Sequence, residues 1–154
     1  MKFPKQIIIY FVVLIVIILG FAIFNISNES SQVVIQEDNI NIENANTVKS
    51  GSFTEIDTIH KGSGEASIVE TNSGAVLKLE NNFKVTNGPD LFVYLSKNTN
   101  IRETKELGDF VSLGELKSSQ GEQTYNLPEN YNEYKSIVIW CRAFSVLFSV
   151  AGLS

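Results

Sequence analysis

The sequence predicts an all-β fold: an antiparallel β-sandwich of the jelly-roll or Greek-key kind, preceded by one N-terminal transmembrane helix and a flexible linker. Three observations predict it. Residues 7–24 form an apolar run without charge, and residues 25–49 are polar without periodicity. From residue 50 onward, short β-branched and aromatic segments alternate with turns that contain Gly, Pro and Asn. Short strands at close spacing, separated by such turns, are typical of β-sandwiches and closed barrels.

The apolar run at residues 7–24 is long enough to cross a bilayer, which takes roughly 17–25 apolar residues in a helix. Lys2 and Lys5 precede the run, and Glu29 is the first charged residue after it. The positive-inside rule then predicts that residues 1–6 are cytoplasmic and that the rest of the chain lies outside.

A cleaved signal peptide is the competing interpretation of this segment. Gly20 and Ala22 resemble a weak cleavage site, but the apolar residues continue beyond them. We therefore predict a signal anchor and a single-pass protein of the cell membrane. Residues 25–49 are predicted to be a disordered linker, because they are polar and lack a hydrophobic pattern. Residues 50–154 are predicted to form the extracytoplasmic domain.

Eight strands are predicted in that domain. Residues 90–96 are apolar on both faces of the predicted strand, which favours a central position in the sheet. A single helical turn is predicted, at residues 102–107. The predicted strands cover residues 51–56, 65–71, 75–80, 90–96, 110–113, 123–127, 136–142 and 146–150.

The predicted strand at residues 136–142 contains the only tryptophan and the only cysteine of the chain, Trp140 and Cys141. Successive side chains of a strand point to opposite faces, so Cys141 lies opposite Trp140 and Arg142. Because an arginine side chain favours water, the Cys141 face is predicted to point into the core.

The residue inventory excludes several classes of function. With one cysteine and one histidine, a single chain assembles neither a blue-copper site nor a Cys- and His-rich zinc site. We find no nucleophile elbow and no phosphate-binding glycine loop before a helix. The formal net charge of −5 and the absence of a basic cluster exclude nucleic acid as a partner.

Cys141 and His60 remain as the candidate functional residues. Cys141 is either a small buried hydrophobic residue or a thiolate that undergoes oxidation or binds a metal centre. His60 is either an exposed or turn-capping residue, or a second ligand or base beside the thiol. Asp90, in the turn at residues 87–90, is most simply a residue that accepts local backbone hydrogen bonds.

An ordered set of motifs runs through residues 51–153. They are Gly51-Ser-Phe53, His60, Gly64-Glu-Ala66, Phe83-Lys-Val-Thr-Asn-Gly-Pro-Asp-Leu91, Leu113-Gly-Glu-Leu-Lys117, Gly121, Gln123, Tyr125, Leu127, Pro128, Ile137-Val-Ile-Trp-Cys141, Phe144, Val146 and Phe148.

Together these motifs resemble the DM-thirteen domain family, the electron transfer DM domain. The resemblance implies a small extracytoplasmic β-sandwich that carries electrons at the cell surface. It implies a redox role for Cys141, as a free thiol or as a ligand to haem or another metal centre, so Cys141 and His60 are the cofactor-binding candidates. Ser149 departs from the glycine expected there, which affects the packing of the last strand.

Two functions are therefore predicted as alternatives. In the first, a membrane-anchored domain transfers electrons through Cys141 to or from a separate redox protein, because no cytochrome domain is fused to it. In the second, a non-catalytic domain binds a partner protein or ligand at the cell surface, with loop 97–105 as a contact region. Dimerisation through Cys141 is a further alternative.

Overall fold

Ten β-strands and two short 3-10 helices make up residues 46–154, the part of the chain that the computed structural model describes. The 3-10 helices lie at Thr104–Glu106 and Tyr131–Glu133. The strands are β1 (Asn46–Glu55), β2 (Gly62–Ser63), β3 (Glu65–Thr71), β4 (Gly74–Leu79), β5 (Lys84–Val85), β6 (Leu91–Ser96), β7 (Phe110–Glu115), β8 (Gln123–Asn126), β9 (Ser136–Cys141) and β10 (Val146–Gly152).

Within residues 46–154, no helix is long and apolar enough to cross a membrane. The predicted transmembrane segment, residues 7–24, lies outside the described residues. So do the predicted cytoplasmic N-terminus, residues 1–6, and most of the predicted linker.

Eight of the strands form one antiparallel sheet in the order β7-β6-β9-β10-β1-β3-β4-β8. The long strand β1 holds the two halves together, because it pairs with β3 along residues 46–52 and with β10 along residues 53–55. The sheet curls into a nearly closed barrel, with one apolar cluster that contains residues of both halves. The antiparallel all-β prediction is confirmed. One continuous sheet takes the place of the two separate sheets of a jelly-roll or Greek-key sandwich, because β1 belongs to both halves.

The barrel interior is filled by one face of the central strands, and a second apolar cluster covers the opposite face of the same strands. Ile137, Ile139 and Cys141 point inward, as predicted. Trp140 points outward but is also buried, because Ile101 and Leu107, in the β6–β7 connection, pack on the same cluster. Strands β6 and β9 are therefore buried on both faces, and the predicted central position of residues 90–96 is confirmed.

All eight predicted strands are present, but β1 begins at Asn46, before the predicted domain start at residue 50. Residues 46–49 therefore belong to the sheet and not to the linker. Their backbone pairs with β3 through a bulge, and such pairing does not require apolar side chains. The two-residue strands β2 and β5 were not predicted. The helical turn predicted at residues 102–107 contains the 3-10 helix Thr104–Glu106.

Strand β2 crosses β10 at unusually short range. A Cβ atom on Gly62 would lie 2.1 Å from Ser149 Oγ and 2.3 Å from Ser149 Cβ. Ser149 is fully buried, and its hydroxyl donates a hydrogen bond of 2.8 Å to the Thr54 carbonyl. The Ser149 side chain therefore occupies the space that a side chain at position 62 would need. The last strand accommodates a serine here because residue 62 is a glycine.

Gly62→Ala is expected to lower the free energy of unfolding by about 1–3 kcal/mol, because the added methyl group overpacks a rigid crossing. Urea unfolding of the full chain in detergent measures the change. Gly152→Ala is the control, since a Cβ there would meet nothing within 4 Å. Ser149→Gly in the Gly62→Ala background should recover part of the loss. A Gly62→Ala variant as stable as the control would contradict this account of the crossing.

Candidate functional site

Three of the features singled out in the sequence come together at one end of the barrel: Cys141, the loop that carries His60, and the turn at residues 87–90. Cys141 is the last residue of β9 and is paired with Leu91, the first residue of β6, and with Val146, the first residue of β10. The turn at residues 87–90 precedes Leu91, so it lies at the same end. Glu55, the last residue of β1, is paired with Ser149 of β10, which brings the following loop to this end too. We call this region the loop end and define it as residues 56–61, 87–90 and 142–145.

The backbone of the 87–90 turn packs directly on the barrel core. A Cβ atom on Gly88 would lie 2.7 Å from Leu91 Cδ2 and 2.8 Å from Phe148 Cζ. Glycine suits this approach, because a Cβ atom here would force the side chains of Leu91 and Phe148 to shift. The turn at residues 87–90 thus packs over the apolar cluster that contains Leu91, Cys141 and Phe148.

The Cys141 thiol is sealed inside this cluster. The residue is 0% exposed and forms no disulfide. A cleft of about 310 Å³ at this end is lined by residues 87–91 and 115–119, and Cys141 is not part of its lining. Thiol chemistry proceeds through the thiolate and needs access to the sulfur atom. In this conformation Cys141 is a packing residue at the end of a strand.

His60 is held by two contacts, neither of them with Cys141. Its Nδ1 lies 2.7 Å from Asp57 Oδ2, and its ring packs edge-on against Phe148, with 4.6 Å between ring centroids. Asp57 Oδ1 accepts hydrogen bonds of 2.7 Å from the backbone N–H groups of Ile59 and His60. The hydrogen bond from the His60 side chain is the largest of the causes that lower the pKa of Asp57 to about 2. No hydrogen bond joins His60 to Cys141 among the described residues, so the structure does not assemble the expected pair.

Asp90 and Arg142 form a second polar pair at the loop end. Arg142 Nε donates to Asp90 Oδ2 over 3.1 Å, and the Arg142 backbone N–H donates to the Asp90 carbonyl over 2.9 Å. The guanidinium carbon lies 4.1 Å from the centroid of the Phe92 ring, as in a cation–π contact. The expected outward position of Arg142 is confirmed. Among the described residues, the hydrogen bonds to Asp90 therefore come from Arg142, in the turn after β9, and not from the turn of Asp90 itself as predicted.

The residues present do not fit a haem or metal centre at Cys141. Among residues 46–154, no group of three or more His, Cys, Asp or Glu side chains could hold a metal ion. Cys141 belongs to an apolar cluster, and His60 is turned toward Asp57. A single sulfur atom in hydrocarbon is an incomplete ligand set for either group.

A row of aromatic rings on the outer face of the sheet was not singled out from the sequence. Tyr94 lies between Phe110 and Trp140, with ring centroids 4.6 Å and 6.2 Å away. Phe92 continues the row at 6.3 Å from Tyr94. Burial is the main cause that raises the pKa of Tyr94. One sequence signal could have indicated this row: Phe92 and Tyr94 are two residues apart in a predicted strand and therefore share a face. In the structure that strand pairs with the strand that carries Trp140.

Comparison with known families identifies the domain. The family model described as Electron transfer DM13 matches residues 52–153. Because the match covers most of the chain, the protein belongs to the Electron transfer DM13 family. This confirms the resemblance drawn from the motifs and indicates a role related to electron transfer. No curated protein and no solved structure matches the chain.

Asp57→Asn is expected to remove an acid-dependent part of the stability. The pKa of Asp57 in the folded protein is lowered from 3.8 to about 2, so the ionised carboxylate stabilises the fold above the higher value. That contribution is lost as the pH falls from 3.8 toward 2. Urea midpoints measured across this range should fall less steeply for Asp57→Asn than for the wild type. Asp109→Asn, at an exposed aspartate outside the loop end, is the control. Parallel curves for the wild type and Asp57→Asn would rule out this role for the Asp57–His60 pair.

Proposed function

We propose that this protein is a membrane-anchored electron-transfer protein whose DM13 domain works outside the cytoplasm, with Cys141 as its redox residue. The observation that carries the proposal is the family match over residues 52–153, which includes the only cysteine of the chain. The uncharged apolar run at residues 7–24, preceded by Lys2 and Lys5, supports the anchor and its orientation.

The position of Cys141 limits how such a residue can react. A thiol in an apolar cluster is protected from adventitious oxidants, and it reacts only when the strand end beside it opens. The turn at residues 142–145 is the segment that would open, because Cys141 is the last residue of β9 and the turn follows it directly. In the reaction we propose, the exposed thiolate gives two electrons to a peroxide. The sulfur gains one oxygen atom to become sulfenic acid, and the leaving oxygen departs as hydroxide. A dithiol reductant returns the two electrons and releases water.

Exposure of the full chain in detergent to hydrogen peroxide tests Cys141 directly. We expect a dimedone adduct on Cys141 while the circular dichroism of the protein remains that of the folded state. Dithiothreitol, added before dimedone, should remove the signal. Cys141→Ala should give no adduct and should lower the free energy of unfolding by about 1–2 kcal/mol, because the buried sulfur leaves a small cavity.

The outcome that contradicts a redox role is also specific. If dimedone and maleimide label Cys141 only in urea, and at the rate of global unfolding, the thiol serves packing alone. An absorption spectrum of the protein purified from its native membrane is a separate check. A Soret band that disappears in Cys141→Ala would contradict our conclusion that the residues do not fit a haem.

The second candidate function is a non-catalytic domain that binds a partner at the cell surface. Complete burial of Cys141 favours this function, because Cys141 is the only cysteine of the chain and its sulfur atom is closed to solvent. Loop 97–105, predicted as its contact region, is held to the barrel by the buried side chain of Ile101. Absence of any reversible change at Cys141 would favour this function over the first.

A further inference from the structure

The turn at residues 87–90 contains the only Asn-Gly pair of the chain, Asn87 and Gly88. In such a pair the backbone nitrogen of the glycine can attack the side-chain amide of the asparagine, because glycine has no Cβ atom to shield the approach. The reaction requires an accessible asparagine side chain and a glycine N–H group that is free of other hydrogen bonds. Asn87 is exposed and Gly88 is partly exposed, so the first requirement is met.

Hydrogen bonds hold both ends of this turn and leave its middle free. At the first end, the Thr86 backbone N–H donates over 2.9 Å to a carbonyl of the loop before β2. At the other end, the Asp90 carbonyl accepts a hydrogen bond of 2.9 Å from the Arg142 backbone N–H. Among the described residues, no hydrogen bond involves the Gly88 N–H group or the Asn87 side chain. Both reacting groups are therefore free of competing partners.

A second exposed asparagine provides an internal comparison. Asn72 is followed by Ser73 in the turn between β3 and β4. The backbone N–H of Ser73 donates to Thr71 Oγ1 over 3.2 Å, and the serine carries a Cβ atom. Both features hinder attack by this nitrogen on the Asn72 side chain. The chain thus contains one exposed asparagine that is open to the reaction and one that is protected from it.

We infer that Asn87 converts spontaneously to isoaspartate in the folded protein, and that this conversion opens the fold beside Cys141. In the first step the Gly88 nitrogen forms a bond to Asn87 Cγ. The side-chain nitrogen leaves as ammonia and takes the proton from Gly88, which gives a cyclic succinimide. Water then breaks the bond between the Gly88 nitrogen and the backbone carbonyl carbon of residue 87. The chain afterwards runs through the former side chain, and the former backbone carbonyl becomes a free carboxylate.

Water reaches this peptide from an open cleft. The cleft of about 310 Å³ is lined by residues 87–91 and 115–119, so it lies directly beside the Asn-Gly pair. Hydrolysis of the succinimide consequently needs no opening of the barrel. Water attack at the other carbonyl of the ring gives ordinary aspartate as a second product.

The lengthened backbone does not fit the space over the core. Isoaspartate adds one carbon atom, about 1.5 Å, to the backbone of a turn whose two ends stay bonded. At Gly88 the backbone already packs so closely on Leu91 and Phe148 that a Cβ atom would force both side chains to shift. The added atom therefore moves the turn off the apolar cluster that contains Cys141.

Movement of this turn is transmitted to the segment beside the thiol. Asp90 accepts hydrogen bonds from Arg142, the residue after Cys141, at its carbonyl and at its carboxylate. Displacement of Asp90 loosens Arg142, and with it the turn at residues 142–145. The effect on the thiol rests on the function proposed above, in which Cys141 reacts when this segment opens. Formation of isoaspartate does not depend on that function.

Incubation of the full chain in detergent, at neutral pH and physiological temperature, tests the modification. Peptide mass spectrometry should show exchange of amide for acid at Asn87, and an isoaspartyl methyltransferase should label the same peptide. We expect this exchange to be at least about tenfold faster at Asn87 than at Asn72, because only the Gly88 nitrogen is free and unshielded. Asn87→Gln should give no methyl label. An Asn87 that stays intact in the folded chain and reacts only in urea would overturn the inference.

The accessibility of the thiol tests the consequence. The isoaspartate form carries one more negative charge than the unmodified chain, so ion exchange separates the two. Because Cys141 is the only cysteine, maleimide labelling without urea reports on it alone. We expect the isoaspartate form to be labelled at least about tenfold faster than the unmodified form, since local opening governs access. Asn87→Asp, with the same charge and an ordinary backbone, is the matched control and should be labelled like the wild type.

The other outcomes separate this inference from the redox function. Equal labelling of the isoaspartate and unmodified forms would overturn the effect on Cys141. Labelling of Asn87→Asp as fast as the isoaspartate form would also overturn it, because charge and not backbone length would then open the turn. An isoaspartate form that is labelled rapidly by maleimide, yet gives no dimedone adduct after peroxide, would support the inference and refute the redox role of Cys141.

Discussion

The structure depends on the burial of β9 on both of its faces. One face closes the interior of the barrel, and the other supports the outer aromatic row with Trp140. The strand is also paired on both sides, with β6 and β10. Every backbone polar group of a strand in this position has a partner, so an all-apolar strand is stable there. As a consequence, the side chains of β9 are hidden from solvent, and this includes Cys141, the last residue of the strand.

Next to the Cys141 end of β9, the charged side chains lie in the loops beyond the strand ends. At the loop end, Asp57 with His60 and Asp90 with Arg142 neutralise one another, and Gly88 lets the backbone close over the core.

Much of the fold was predictable because the strands carry strong local signals. Residues 90–96 are apolar on both faces, and this marks them as a central strand without any knowledge of their neighbours. For residues 136–142 the sequence predicted a core on the Cys141 face, and only the structure shows that the Trp140 face is buried too. The start of β1 at Asn46 was missed because residues 46–49 are polar and pair through their backbone. Strands β2 and β5 have two residues each, so they show no alternating pattern from which a strand could be predicted.

The candidate site was predicted less completely than the fold. Cys141 was placed correctly on the inward face, and Arg142 on the outward face. The pairing of His60 with Cys141 was not found, because Asp57 lies three residues before the histidine and binds it through a local turn. The aromatic row and the exposure of the Ile59 and Phe144 side chains depend on which strands become neighbours and which turns face solvent.

The sequence by itself determined the all-β class, the central position of residues 90–96, the inward direction of the only thiol and the family. These properties follow from alternation along single strands and from motifs that are contiguous in the chain. The tertiary structure alone decided that the sheet is continuous through β1, that the thiol is sealed, and that His60, Asp90 and Phe144 share one end. The reason is physical: strand register and the curl of the sheet arise from pairings between segments far apart in sequence, and no local pattern records them.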